Sequence, residues 1–145
     1  IDIRGECGGA LKDKWKGGIE TLLGIQVAGF PNMMMLVGPH TALGNIPRSI
    51  EYNVDWVTRL IKHMAEKGLT RTDARPEAAA AWTGYVAEMG KGLLTNEVDS
   101  WMTGVNSNID GKQTRILNRY SGSATAFRAW CEKVAENGYR ELALA

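Results

Sequence analysis

Apolar positions recurring three or four apart define the clearest element of the chain. Between Asn45 and Gly68, residues Ile50, Val54, Val57, Leu60, Ile61 and Met64 fall at helical spacing, with Glu51, Asp55, Arg59, Lys62 and Glu66 around the other side. Asn45 suits an N-cap, Pro47 falls in the first turn, where its missing N–H costs nothing, and Gly68 supplies a stop. The pattern predicts an amphipathic helix of about twenty residues. A second helix begins at Pro76 after the polar stretch Thr70 to Arg75 and runs to the neighbourhood of Lys91. It turns Ala78, Trp82, Tyr85 or Val86, and Met89 inward. A third opens at Gly122-Ser123, presents Phe127, Trp130, Cys131 and Val134 to the core and ends at Gly138, leaving Tyr139 to Leu144 extended.

Shorter patterns fill the remainder. Ile1 to Gly9 reads as a strand end and a Gly-rich loop, and Leu11 with Trp15 as one helical turn of packing face. Leu22 to Val27 alternates weakly, as a strand would, and Gly29-Phe30-Pro31-Asn32 is a turn. Met33 to Val37 reads as an apolar strand buried on both faces, feeding the Gly38-Pro39 turn and then the long helix. In open α/β folds ligands sit just past the carboxyl end of such a strand, where backbone amides and a helix N-terminus are exposed. His40 to Ile46 is therefore the first candidate ligand-facing loop. Gly92 to Lys112 lacks clear periodicity over a length that is usually functional or mobile, and is the second. Thr114 to Leu117 reads as a further short strand. The fold class expected is α/β but mostly helical, with short strands and three main helices, as a single domain or fragment over residues 1–145.

Composition narrows the classes. The 145 residues carry 17 Lys and Arg against 16 Asp and Glu, a formal net charge of +1 with both signs mixed, so no field steers nucleic acid to the chain. Cys7 and Cys131 lack zinc-site or redox-pair spacing and read as free thiols in a reducing compartment. No apolar run approaches the roughly 20 residues of a membrane span and no leader pattern opens the chain, so a cytoplasmic location is expected. The sequence starts at Ile1 without a methionine, in what reads as mid-structure, and is expected to be a piece of something longer.

Self-sufficient catalytic sets are missing. There is no nucleophile elbow, HExxH, phosphate loop or apolar carboxylate pair, and the only histidines, His40 and His63, are separated by a long helical stretch. His63 reads as a structural or exposed residue. What remains is a loop at a strand end and a second loop with Trp101, Asn106 and Lys112. A flat apolar face and a lysine charge suit closure over a large planar or phosphorylated cofactor.

These residues carry a resemblance. Asp2-Ile3-Arg4-Gly5, Leu11-Lys12-Asp13-Lys14-Trp15, Ala28-Gly29-Phe30-Pro31-Asn32, Gly38-Pro39, Ser49-Ile50-Glu51, Val54-Asp55-Trp56, Ser100-Trp101, Gly111-Lys112 and Gly138-Tyr139 recur in order, and nearly at the spacing, in the C-terminal portion of flavin-dependent Baeyer–Villiger monooxygenases. The chain resembles the cyclohexanone and phenylacetone monooxygenase group over essentially its whole length. The resemblance implies part of a two-dinucleotide-binding flavoprotein in which NADPH reduces FAD and the reduced flavin activates O2 to turn a ketone into an ester or lactone. It further implies that Leu43, Gly44, Asn45 and Ile46 border flavin and substrate. Of these, Ile46 matches a position whose backbone meets the flavin, and Leu43 and Gly44 belong to the substrate pocket. Trp101 matches the mobile-loop tryptophan that contacts NADP, and Lys112 the loop lysine.

Departures from the family pattern are specific. The second loop reads Gly104-Val105-Asn106-Ser107-Asn108-Ile109-Asp110-Gly111-Lys112, longer than the family's and without its proline. Both glycine-rich fingerprints, and the arginine that supports the oxygenated flavin, are absent from the chain. Without a pyrophosphate cradle the chain is expected to hold neither FAD nor NADP(H) and to have no catalytic residue and no activity of its own. A metal is not expected. Two rivals stand beside this reading: a free-standing module that associates with itself or another protein through apolar surface near Met33 to Met35, and a related flavoprotein that oxygenates nitrogen or sulfur.

Overall fold

The computed structural model describes residues 1–42, 44–100, 103–106, 108–109, 115–116 and 119–145. In chain order the elements are α1 (Leu11–Lys14), continued by a 3-10 turn at Trp15–Gly17, then α2 (Ile46–Glu66), β1 (Thr72–Ala74), α3 (Pro76–Gly90), α4 (Leu94–Glu97), α5 (Ala124–Glu136) and β2 (Leu142–Leu144). As the patterning predicts, α2, α3 and α5 are the main helices. Local chemistry sets their ends. The Asn45 side chain accepts from the Arg48 N–H at 3.1 Å, and the Ser123 hydroxyl oxygen accepts from the Ala126 N–H at 3.1 Å. Pro47 and Pro76 lie in first turns, while Gly68 and Gly138 take positive φ just past the ends of α2 and α5.

The core is where these helices meet. Trp56, Leu60 and Met64 of α2, Ala79, Trp82 and Val86 of α3, and Phe127, Cys131 and Val134 of α5 are buried together with Tyr139 and Leu142. The buried Trp56 indole donates to the Cys131 carbonyl at 2.9 Å and meets the Tyr139 ring edge-on, centroids 5.4 Å apart. Further out, the Arg59 guanidinium grips Glu132 with two bonds of 2.8 and 2.7 Å, and the Tyr52 hydroxyl donates to the same carboxylate at 2.8 Å. Arg59, against a smaller cost of burial, and then Tyr52 hold the Glu132 carboxyl below its ordinary value. Both cysteines are free thiols, and burial pushes Cys131 up to about 12. His63 packs its ring on Tyr139 at 5.0 Å.

Several expectations are corrected. The inward face of α2 is rotated: Asn53, Trp56, Leu60 and Met64 are buried, whereas Ile50, Val54 and Ile61 are exposed and Val57 is half-buried. Leu60 and Met64 lie on both the expected and the observed face. Met33 to Val37 is not a strand. Its methionines are half-buried in irregular backbone, Met34 against the main core and Met33 and Met35 against a smaller cluster of Leu11, Val27, Phe30 and Trp15. Leu22 to Val27 is a tight turn closed by Leu22 N–H to Gln26 O at 2.8 Å, with Val27 and its neighbours deeply buried. The regular strands lie elsewhere. β1 pairs antiparallel with β2, Thr72 opposite Leu144 and Ala74 opposite Leu142. Arg115 and Ile116 are outside any strand, and the rest of the expected strand at Thr114 to Leu117 lies outside the described residues. In α3 the buried stripe is Ala79, Trp82, Val86 and Gly90, with Ala78, Tyr85 and Met89 packed at its margin.

The buried, irregular stretch from Thr21 to Ala42 must find partners for its backbone without a ladder. It takes them from side chains and from β1: Asn32 N–H donates to Thr72 O at 2.8 Å, Thr72 N–H to Asn32 Oδ1 at 2.9 Å and Gly29 N–H to Asp73 Oδ1 at 3.0 Å. No described helix is long and apolar enough to cross a membrane.

Two measurements check this arrangement. Leu60→Ala is expected to cost about 2–5 kcal/mol in urea unfolding, and its neighbour Ile61→Ala less than about 1 kcal/mol. Equal costs contradict the rotated face. Because the Glu132 carboxyl is depressed in the folded chain, its contribution is present above the unfolded carboxylate value and is lost as pH falls through the lower folded value. Hence the stability gap between the parent and Glu132→Gln should be full at about pH 7 and shrink below about pH 4.5 in unfolding curves.

Candidate functional site

The loop before α2 is rooted by one threonine. The Thr21 hydroxyl donates to Pro39 O at 3.2 Å and lies 3.2 Å from His40 Nδ1, while its oxygen also accepts from Gly24 N–H at 3.2 Å. His40 is buried with φ +69°, and Val37 also adopts a left-handed backbone at +54°, an uncommon conformation for a β-branched residue. Two glycines let the segments approach. A Cβ on Gly24 would run into Thr41 Oγ1 and lie 2.7 Å from Pro39 O, and one on Gly38 would run into Gly24 O and lie 2.9 Å from Met35 Cβ. The Thr41 hydroxyl donates back to Gly38 O at 2.6 Å.

This geometry divides the expected ligand-facing loop. His40, Thr41 and Ala42 are buried and face the protein, so the ligand-facing assignment fails for them. Gly44, Asn45 and Ile46 are exposed. A side chain at Gly44 would meet nothing within 4 Å, Asn45 spends its carbonyl oxygen on the helix cap, and Ile46 opens the 21-residue α2. Pro47 has no N–H and the Arg48 N–H is taken by Asn45, so at that end it is the helix dipole that favours a negative or strongly polar group. Leu43, Trp101 and Lys112 lie outside the described residues.

The second loop returns to the first. Its described part is organised by Thr103, which sequence reasoning passed over. Buried, Thr103 has its hydroxyl within 3.0 Å of Val98 O and 2.9 Å of Ser100 O; the same oxygen accepts from Ser100 N–H at 3.1 Å, and the Thr103 carbonyl accepts from Ile116 N–H at 2.7 Å. Arg115 pairs with Asp99 at 2.6 Å, closing the base of the loop, and Asn106 Oδ1 accepts from Asn108 N–H at 3.0 Å. The chain then reaches Tyr120, which forms a parallel bridge with Ala42. Both candidate loops thus share a root.

Tyr120 is also missing from the sequence-derived set. Its ring stacks on Trp82 at 5.6 Å and 13° and lies 5.7 Å from Phe127, inside a cluster completed by Tyr85 and Trp130. Gly122 is required beneath it, since a Cβ there would strike the Tyr120 phenol. Burial, together with the neighbouring Tyr85 hydroxyl, holds the Tyr120 phenol at about 12, so it is neutral at physiological pH. The available signal was an aromatic residue three positions before the Ser123 cap, with Phe127 four positions after it. Among the described residues no cluster of His, Cys, Asp and Glu could hold a metal ion.

No family model matches the chain. Over 99% of its length it is 37% identical to a phenazine N-monooxygenase of Lysobacter antibioticus, and over all of it 36% identical to a cyclopentanone 1,2-monooxygenase of Comamonas; each match covers 26% of the relative. It overlays with a TM-score of 0.92 and 35% identity on a closed crystal structure of cyclohexanone monooxygenase, covering 100% of this chain and 27% of that one. On OTEMO in complex with FAD and NADP the TM-score is 0.88 at 32% identity, covering 100% and 26%. The chain therefore spans about a quarter of the length of the curated relatives it matches.

The crossing of the two segments gives a direct test. Gly38→Ala should lower stability by about 1–3 kcal/mol through overpacking against Gly24, whereas Gly44→Ala, in open space, should stay within about 0.5 kcal/mol. Urea denaturation compares them, and an unchanged Gly38→Ala variant contradicts the close approach.

Proposed function

We propose that this chain, similar over its whole length to about a quarter of a Baeyer–Villiger monooxygenase, forms the flavin-side wall and the NADP-contacting loop of an NADPH- and FAD-dependent monooxygenase converting ketones to esters or lactones with O2. One observation carries the reading. The only exposed part of the first loop among its described residues, Gly44 to Ile46, sits at the N-terminus of α2, and the bridge from Ala42 to Tyr120 ties the chain that follows the second loop to the residue two positions before Gly44. This suits a cofactor bordered from two sides.

The residues fit one edge of a flavin rather than its whole length. Bare backbone at Gly44 and the first turn of α2 at Ile46 would lie against the polar rim of the ring, with Leu43 and Gly44 shaping the substrate side and Asn45 holding the turn. Trp101 and Lys112 would contact NADP from the second loop. No glycine-rich fingerprint occurs in the sequence, so the pyrophosphate cradles of the two dinucleotide-binding units would come from other parts of such an enzyme. When bound, the flavin supplies the redox chemistry with O2. This chain orients that cofactor, lines the ketone pocket and excludes water, and by itself is silent.

Relatedness to a phenazine N-monooxygenase supports a second reading, oxygenation of a ring nitrogen in place of a carbonyl carbon. A chimaera decides between them: this chain in place of the matching segment of the Comamonas cyclopentanone monooxygenase, assayed with cyclopentanone and with phenazine. Lactone supports the first reading and N-oxide the second; a folded, flavin-loaded chimaera that forms neither overturns both. In it, Trp101→Ala should lower kcat/KM for NADPH about tenfold, a loss of roughly 1.4 kcal/mol. Unchanged kinetics remove Trp101 from the site, and an unaltered ketone preference in Leu43→Ala removes Leu43.

A further inference from the structure

Thr21 is fully buried in backbone that belongs to no strand, so its N–H and its carbonyl both need partners. One side chain meets both. The Thr83 hydroxyl of α3 accepts from the Thr21 N–H at 3.3 Å and donates to the Thr21 carbonyl at 3.4 Å. A hydroxyl accepts and donates from a single atom, which a valine of the same shape cannot do. From Thr21 the path continues through its own hydroxyl to Pro39 O and His40 Nδ1, each at 3.2 Å. Thr41 then folds back on Gly38 O through its N–H at 3.2 Å and its hydroxyl at 2.6 Å. The next residue, Ala42, bridges to Tyr120, whose ring lies on Trp82. Trp82 and Thr83 are neighbours in α3, so the contacts form a closed ring that starts and ends on one turn of a helix.

Gly44 leaves this ring two residues after Ala42, and on its other side Asn45 is fixed to α2 by the cap. The exposed run from Gly44 to Ile46 is therefore placed by where the ring holds Ala42 relative to α2. We infer that Thr83 is a positioning residue for that run, acting through Thr21 and the Pro39-His40 backbone without touching flavin or ketone. The inference rests on the function proposed above, in which Gly44 to Ile46 border flavin and substrate. The two ties to α3 are separable. Trp82 carries the return of the second loop through Tyr120, whereas Thr83 carries the root of the first. Loss of the Thr83 hydroxyl strands both backbone groups of Thr21 and frees that root, while the stack of Tyr120 on Trp82 stays. The effect falls on the substrate side of the reaction and spares the use of NADPH.

Amide exchange tests the tie and kinetics test the positioning. In the isolated chain, Thr83→Val should speed hydrogen exchange of the Gly24 and Thr41 amides about tenfold and leave the Val134 amide of α5 unchanged. In the Comamonas chimaera it should raise KM for the ketone about threefold, with kcat and KM for NADPH unaltered. If N-oxide is the product, KM for phenazine is read instead. Thr83→Ser keeps the hydroxyl and should restore both readouts. Ala80→Gly, on the exposed side of the same helix, weakens α3 without touching the ring and should leave the ketone KM as it was. Unchanged exchange at Gly24 and Thr41, or equal acceleration at Val134, overturns the tie and the inference with it. Faster exchange with an unchanged ketone KM, in a chimaera that still makes lactone, overturns the positioning role and leaves the proposed function standing. So does an equal rise in KM for NADPH, an equal effect of Ala80→Gly, or a serine variant that restores nothing. A chimaera that yields neither product removes the proposed function and this inference together. Should the valine variant not fold, Thr83→Ala is held to the same outcomes.

Discussion

The bond from the Trp56 indole to the Cys131 carbonyl sets the rotation of α2, and most of what this chain can do follows from that angle. A helix of this length offers its neighbours a broad apolar arc, and packing energy alone is tolerant of which part is buried. A buried indole N–H is more selective, because its acceptor is within reach at one rotation of the helix and the bond adds to packing only there. Tyr139, edge-on to the same ring, and the Glu132 carboxylate, shared by Arg59 and Tyr52, fix the position further out. With α2 so oriented, its first turn opens outward at Ile46 and half of its apolar surface remains available.

The second constraint is on backbone. Thr21 to Ala42 is buried more completely than the helices around it, yet has no regular structure. Such a path is affordable only when each amide is matched individually, here by Asn32, Asp73 and the Thr21 hydroxyl, and when glycines permit contacts that a Cβ would block. Among the described residues, four of the five non-glycine positions with left-handed backbone, Leu23, Asn32, Val37 and His40, fall within this stretch, and the fifth is Tyr139. Backbone in such conformations persists only where its surroundings over-determine it, as the bonds and close contacts of this stretch do.

Local features were legible in the sequence and distant ones were not. The caps at Asn45 and Ser123, the prolines at 47 and 76 and the glycines at 68 and 138 act within a turn of the chain, and each stands where its chemistry indicates. Met33 to Val37 has the pattern of a strand without being one, because an unbroken apolar run records burial and says nothing of hydrogen bonding. β1 was invisible for the opposite reason: Thr72-Asp73-Ala74 has no strand composition, and its partner lies some seventy residues away at Leu142–Leu144. The rotation of α2 escaped because Trp56 and Asn53 decide it through groups on other elements. As for the site, resemblance pointed to Gly44, Asn45 and Ile46, whereas the anchors beneath them, Thr21, Thr103 and Tyr120, are defined only by what they touch.

The second loop leaves α3 at Gly90, where the Asn96 side chain caps the carbonyl at 2.8 Å, and its return is clamped to that same helix by Tyr120 on Trp82. Its two footings are therefore held a fixed distance apart by a rigid rod. Where they spare the contacts of Thr103 and the Asp99–Arg115 pair, residues inserted or deleted between them mainly change the entropy of closing the span, about 0.6 kcal/mol per doubling of length. The sequence from Gly104 to Lys112 is thus a place where evolution can lengthen, shorten or rewrite the chain without disturbing the fold that bears it.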